Sequence, residues 1–195
     1  MKALGFKKAC FDPKTITMNR VIITYGLIAG AIVSALMFIT IPLWRNDIIA
    51  PDKGELVGYT TMVIALSMVF FGVKSYRDNH QNGTITFWKG VKAGLLITLI
   101  ASLMYGLSWE VCYRTVMKDF TTQMTEQSLA KLKKEGATEA AIKKAMDEMA
   151  DFVEKYQNPF IRFGITLTEI LPVGIIISFL SAALLKRRQF MPATE

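Results

Sequence analysis

Four long apolar segments, separated by polar and charged stretches, set the pattern of this chain. Residues 21–44 and 56–73 contain no charged residue, and the fourth apolar segment covers 160–185. The third begins at Gly94 and continues to the neighbourhood of Arg114. A helix needs about 20 apolar residues to cross a bilayer. Each segment therefore predicts one membrane crossing.

The prediction is an all-α, polytopic membrane protein with a helical hairpin outside the bilayer between the third and fourth transmembrane helices. The first apolar run is longer than that of a cleavable signal peptide and is followed by IPLWRND, so it is read as a retained helix. Met18 stands directly before this run and is an alternative start to Met1. Pro13 and the run ITMN argue against a long helix in the head. The predicted segments are a basic head (1–20), three transmembrane helices (21–114), the hairpin (115–158), a fourth transmembrane helix (159–188) and a tail (189–195).

The hairpin segment differs from its surroundings because it is polar, carries charges of both signs and has a helix-forming composition. Gly136 predicts the end of its first helix and Thr138 the N-cap of the second. The second helix has one apolar face at helical spacing, formed by Ile142, Met146, Met149, Val153 and Tyr156. This face is expected to pack within the hairpin, the alternative being a docking surface for a partner. Asn158-Pro159 predicts the hinge back into the membrane.

Four crossings place both termini on one side of the membrane. Cytoplasmic ends of membrane helices carry an excess of Lys and Arg, and Arg45 and Lys53 are the basic residues of the short link at the opposite side. We therefore expect a multi-pass protein of the inner (cell) membrane, with cytoplasmic N and C termini and the hairpin outside. The lysines of the hairpin are an exception to this charge rule. The basic residues on the cytoplasmic side, besides the head, are Lys74, Arg77, Lys89, Lys92, Lys186, Arg187 and Arg188.

Composition narrows the functional classes. The chain is 52% hydrophobic and 20% charged, and its formal net charge of +7 lies largely beside apolar segments. Orientation in the membrane explains this charge, and no nucleic-acid motif is present, so a nucleic-acid partner is not expected. The only histidine, His80, has no neighbouring ligand, and no metal or cofactor is predicted. Cys10 and Cys112 lie near opposite faces and are expected to be free thiols.

Small residues recur every fourth position on two of the membrane helices. Residues four apart share a helix face, and small residues there permit close helix contact in membranes. The alternative is that glycine is simply frequent in membrane helices. The predicted helix-contact residues are Gly26, Gly30, Gly94, Ser102 and Gly106.

Charged residues near or within the membrane mark the candidate sites. Glu110 lies near the outer boundary at the level of Arg162, which predicts an ion pair between the third and fourth helices. Glu169 lies about 14 Å below the outer end, given a rise of 1.5 Å per residue, and shares a face with Arg162 and Thr166. The functional interpretation of Glu169 is a proton or cation site, with Pro172 loosening the helix beneath it. The alternative is a protonated carboxyl that only locks helix packing.

The segments FGVKSYRDNHQNGTITFWKGVKAG and NPFIRFGITLTEILPVGIIISFLSAALLKRR carry a family resemblance. Through the SYRD…NG…F-KG loop and the TE-x-x-PVG run, the chain from about Met18 to Arg188 resembles the small inner-membrane proteins, mainly of Bacteroidota, of domain-of-unknown-function family 4199. The resemblance implies four membrane helices with an extramembrane helical insert before the last. It implies no activity. The residues that match the pattern are Arg77, Asp78, Asn82, Gly83, Glu169 and Pro172.

No catalytic signature is present, so the leading hypothesis is a non-enzymatic accessory or assembly module of an envelope complex. Its expected partners are the lipid bilayer and a membrane protein or a second copy of the chain. The alternative from another class is a small transporter or ion-coupled channel using Glu169. An enzyme acting on a lipid-linked substrate near Glu110 and Arg162 is the third hypothesis.

Overall fold

The computed structural model describes residues 13–46, 48 and 53–186. These residues form six helices and no strand: α1 (Pro13–Arg45), α2 (Gly54–His80), α3 (Phe87–Thr115), α4 (Phe120–Lys134), α5 (Glu139–Tyr156) and α6 (Pro159–Leu185). Of these helices α1, α2, α3 and α6 are long and apolar enough to cross a membrane, which confirms the predicted fold. The predictions for Met1, Cys10, the basic pair at 187–188 and the tail at 189–195 lie outside the described residues.

The expectation that the basic head forms no long helix is wrong for residues 13–20, because α1 already begins at Pro13. Proline lacks a backbone N–H and has a helix-compatible φ, so it is favoured in the first turn, where N–H groups have no partner within the helix. The part of α1 that is apolar enough for a membrane begins at Met18. The head therefore continues directly into the first membrane-spanning segment.

The four apolar helices form a bundle in which α1 packs against α2 and α3, while α6 packs against α3 and α2. Val33, Leu66, Ile97 and Ile170 are almost completely buried at the centre of this bundle. The outer faces carry exposed apolar side chains, including Ile23, Val63, Leu99 and Ile176. A bundle with an apolar exterior of this extent is suited to contact with lipid.

The predicted helix-contact glycines all lie against a side chain of a neighbouring helix. The neighbours are Ile100 for Gly26, Met104 for Gly30, Ser178 for Gly94 and Phe163 for Gly106. Ser102 is fully buried, and its Oγ has no hydrogen-bond partner among the described residues. The small-residue pattern thus marks the surfaces where α1 meets α3 and α3 meets α6.

Gly94→Ala is expected to destabilise the bundle by about 1–3 kcal/mol, the usual cost of overpacking. An added Cβ at Gly94 would lie 2.9 Å from the Ser178 Cβ and 3.1 Å from its Cα, so α6 itself would have to move. Gly164→Ala is the matched control, since a Cβ there meets nothing within 4 Å. Thermal unfolding in detergent should show a lower midpoint for Gly94→Ala only. Equal midpoints for the two variants would contradict the close contact.

The hairpin of α4 and α5 follows the predicted local signals. Gly136 adopts a φ of +72° between the two helices, and the Thr138 side chain caps α5 by accepting a hydrogen bond from the Ala141 N–H at 3.3 Å. Asn158 caps α6 in the same way, accepting from the Phe160 N–H at 2.9 Å. Met146 and Met149 of the apolar face of α5 are half-buried in a groove against α4, in line with packing within the hairpin, whereas Tyr156 of this face packs against α3 and α6. The residues of the α4–α5 groove include Met124, Leu132, Met146, Met149 and Phe152.

Candidate functional site

The predicted ion pair between Glu110 and Arg162 is confirmed. Arg162 on α6 donates from Nε to Oε1 of Glu110 at 2.7 Å and from Nη2 to Oε2 at 2.8 Å. The Arg162 side chain is 4% exposed and that of Glu110 is 14% exposed. A two-point pair between a guanidinium and a carboxylate is among the strongest hydrogen-bonded contacts in proteins. This pair joins α3 to α6 at the end of the bundle that carries the hairpin, called the hairpin end below.

The same arginine also holds the end of the hairpin. Its Nη1 donates to the backbone carbonyl of Tyr156 at 2.8 Å, and its guanidinium carbon lies 4.0 Å from the centre of the Tyr113 ring. The Trp109 indole N–H donates to the Tyr156 hydroxyl at 2.8 Å. Trp109, Glu110, Tyr113, Tyr156 and Arg162 are called the Arg162 cluster below. They fix the last residue of α5 to both α3 and α6.

Burial raises the pKa of the Tyr156 phenol, although the hydrogen bond from Trp109 opposes this shift. The hydroxyl therefore stays protonated at neutral pH.

A second connection lies on the other side of the hairpin base. Arg45 at the end of α1 donates to the backbone carbonyl of Val116 and lies 3.6 Å from the Asp119 carboxylate. The hairpin is thus held to three membrane helices.

A cavity of about 370 Å³ lies beneath the hairpin, and all six helices contribute to its wall. Glu169 opens into this cavity, and its carboxylate makes no hydrogen bond or ion pair with any described residue. The other polar and aromatic side chains of the lining are Thr40, Trp44, Tyr105, Trp109, Phe120, Gln127, Tyr156 and Thr166.

Residues at about the depth of Glu169 on the other helices do not line the cavity. Ala65 and Ser102 are fully buried in the bundle, and Ser34 accepts a hydrogen bond from Ser108 at 2.8 Å. The polar groups that line the cavity with Glu169 include Tyr105, Gln127, Tyr156 and two threonines. Tyr105 and Trp109 are four residues apart on α3, and this spacing was the available signal for an aromatic wall.

On the side away from the hairpin, α3 and α6 pack closely below the cavity. The Thr98 hydroxyl lies 3.4 Å from the Gly174 carbonyl and 3.3 Å from the Ser178 hydroxyl. Ile97 and Ile170 are fully buried at this level. Pro172 is exposed, and α6 continues through it without interruption. Packed side chains bound the cavity on this side, and the loosening of α6 at Pro172 stays a prediction.

The SYRD…NG motif lies at the opposite end of the bundle, the terminal end, where α1 begins and α6 finishes. Arg77 is 1% exposed; its Nε lies 2.6 Å from the Asp78 Oδ1, and its Nη1 donates to the Leu185 carbonyl at 3.5 Å. Lys74 pairs with the other Asp78 oxygen at 2.7 Å. Asn82 and Gly83 have positive φ values of 51° and 72°. The motif thus joins α2 to the end of α6 and forms the turn into α3.

Neither a curated protein nor a solved structure matches the chain. Within the described part of the chain, no group of three or more His, Cys, Asp or Glu side chains could hold a metal ion, and Cys112 is a buried free thiol. One family model matches residues 24–187, a range that includes the hairpin, the cavity and both ion-pair sites. The chain belongs to the family described as Protein of unknown function (DUF4199).

Proposed function

We propose that this protein is a non-enzymatic accessory or assembly module of an envelope complex, and that it presents the hairpin to a partner. The observation that supports this role is the Arg162 cluster, which connects the end of α5 to α3 and α6 through buried hydrogen bonds. A surface held in one orientation loses less conformational entropy on binding than a mobile one. The fixed hairpin suits a docking role for this reason.

The proposed orientation places both termini in the cytoplasm and the hairpin on the outer side of the inner membrane. It is supported by the positive-inside rule, since the head and the loop between α2 and α3 are rich in Lys and Arg, whereas the short link between α1 and α2 carries Arg45 and Lys53. The lysines of the hairpin are the exception to this rule. The basic residues at the terminal end within the described part of the chain are Lys14, Arg20, Lys74, Arg77, Lys89, Lys92 and Lys186.

The outward face of α5 is the part of the hairpin that a partner would meet. Its apolar face is turned toward α4, whereas Lys143, Lys144, Asp147, Glu148 and Asp151 are exposed. Exposed charges of both signs favour recognition by electrostatic complementarity, which steers encounter and selects among partners. The partner is accordingly proposed to be a protein with a polar, charged contact surface.

The test is site-specific photo-crosslinking in cells, with a benzophenone amino acid at Lys143 on the hairpin or at Ile176 on the outer face of α6. A discrete protein adduct is expected from position 143 and not from position 176. Arg162→Gln should abolish this adduct at equal protein abundance, because the hairpin is no longer held, whereas Lys92→Gln, at an exposed position of the terminal end, should retain it. Equal adducts from both positions, or an adduct indifferent to Arg162→Gln, would contradict the proposal.

A small transporter or ion-coupled channel is the second candidate function, and the exposed Glu169 in its cavity favours it. Intramembrane carboxylates commonly lie on ion or substrate pathways. The close packing of α3 and α6 below the cavity weighs against a transport role, because the transport cycle would have to separate Thr98 from Ser178. Uptake of a substrate into proteoliposomes that is lost in Glu169→Gln would establish this role in place of the first.

A further inference from the structure

The cavity beneath the hairpin combines one carboxylate with a wall of aromatic rings. Glu169 lies in the lining together with Trp44, Tyr105, Trp109, Phe120 and Tyr156. The rings are packed against one another: the centres of Trp109 and Phe120 are 5.1 Å apart and those of Phe120 and Tyr156 are 5.9 Å apart. The wall is therefore continuous across α3, α4 and α5.

The carboxylate has no counter-charge of its own. Arg162, one of the cations at the hairpin end, is engaged by Glu110 in a two-point ion pair, and Arg45 lies beside Asp119. Glu169 forms no ion pair with any residue that the structure describes. A carboxylate at this depth is costly unless it is paired, hydrated or protonated. A cationic ligand would supply the missing partner.

The wall determines which kind of cation fits. A metal ion needs several oxygen, nitrogen or sulfur ligands, and the described lining offers a single carboxylate with hydroxyl and amide groups. Aromatic rings attract organic cations through their faces, most strongly where water is excluded. A volume of about 370 Å³ falls within the range of small-molecule sites.

We propose that this cavity binds a small organic cation, a substituted ammonium group with an apolar body, with Glu169 as its counter-charge and the aromatic wall around it. The site does not depend on the accessory role, because the isolated protein contains every group that it needs. The ammonium group has two sources, the amine headgroup of a membrane lipid or a soluble amine. Both present the same chemistry to Glu169.

The test uses the purified chain in nanodiscs of phosphatidylglycerol, with Trp88→Phe as the background. Trp88 lies near the terminal end and is 71% exposed, whereas Trp44 and Trp109 line the cavity, so the remaining tryptophan emission reports on the site. Benzyltrimethylammonium is the probe, and uncharged N,N-dimethylbenzamide is the control of similar size. A saturable emission change is expected for the cation, with affinity about tenfold or more above that of the amide.

Glu169→Gln should weaken binding of the cation by about tenfold or more and leave binding of the amide unchanged. Glu169→Asp, which keeps the charge, should retain most of the affinity, and Glu126→Gln, on the exposed hairpin surface, should change nothing. The inference is overturned if cation and amide bind the starting protein equally, or if Glu169→Gln binds the cation as well as Glu126→Gln does. The comparison of the two probes on the starting protein decides the question even if Glu169→Gln does not fold.

Phosphatidylethanolamine added to the nanodiscs distinguishes the two sources of the ammonium group. Competition with benzyltrimethylammonium assigns the site to a lipid headgroup, and undiminished probe binding assigns it to a soluble amine. Either result is separate from the crosslinking of the hairpin. The ligand site and the accessory role can therefore fail independently.

Discussion

Arg162→Gln is expected to lower the free energy of unfolding by about 3–5 kcal/mol, the usual cost of removing one partner from a buried ion pair. The substitution leaves the Glu110 carboxylate, which is 14% exposed, without its two-point partner. Arg114 lies 3.4 Å away but is 66% exposed, so it replaces little of the lost interaction. The Tyr156 carbonyl also loses a hydrogen bond. Reversible denaturation in mixed detergent micelles measures the change.

Two further variants separate the ion pair from a general effect of charge removal. Lys144→Gln removes a cation from an exposed pair with a 3.9 Å separation and should change stability by less than about 0.5 kcal/mol. The double variant Arg162→Met/Glu110→Met removes both charges together and should recover a large part of the stability lost in Arg162→Gln. The single variants Arg162→Met and Glu110→Met complete the comparison, and a double variant as unstable as the sum of these two would show that the residues are not coupled.

Asp78→Asn is expected to cost about 3 kcal/mol, because the buried Arg77 guanidinium loses its adjacent carboxylate. Arg77 is 1% exposed, and Asp78 is the acid that it shares with Lys74. Removing this acid also places two cations close together without the negative charge between them. Reversible denaturation measures this loss of unfolding free energy, which should appear although the substitution leaves the hairpin end unchanged.

Lys74→Gln is the matched control at the terminal end. It removes the more exposed member of the group, at 26% side-chain exposure, and leaves the contact between Arg77 and Asp78 at 2.6 Å intact. A loss of about 1 kcal/mol or less is expected. If Lys74→Gln proved as damaging as Asp78→Asn, the stability of this end would depend on total charge and not on the buried arginine.

The membrane helices and the Glu110–Arg162 pair were predictable because each follows from a local rule. Long uncharged runs predict crossings by length alone. Glu110 and Arg162 could be paired because depth along a helix follows from counting residues at 1.5 Å each, and a charge at the boundary of the bilayer needs a partner. Thr138 was recognisable as an N-cap from its own position in the sequence.

The start of α1 and the cavity were not predictable in the same way. Pro13 was read as a helix breaker, although in the first turn it is compatible with a helix. The cavity wall joins Tyr105 of α3 to Phe120 of α4 and Tyr156 of α5, so it exists only once the hairpin has folded back over the bundle. Periodicity within single segments carries no information about such contacts. The same holds for Arg77, whose bond to the Leu185 carbonyl joins residues 108 positions apart.

A distance measurement between the hairpin and the bundle tests most directly whether the hairpin is held in one orientation. Spin labels at Glu148→Cys on α5 and Thr84→Cys at the terminal end lie at exposed positions. Cys10→Ala removes one native thiol, and Cys112 is buried. Double electron–electron resonance should give one narrow distance distribution, which Arg162→Gln broadens. A distribution that is already broad with Arg162 in place, or that Arg162→Gln leaves unchanged, would contradict the fixed hairpin and the docking role that rests on it.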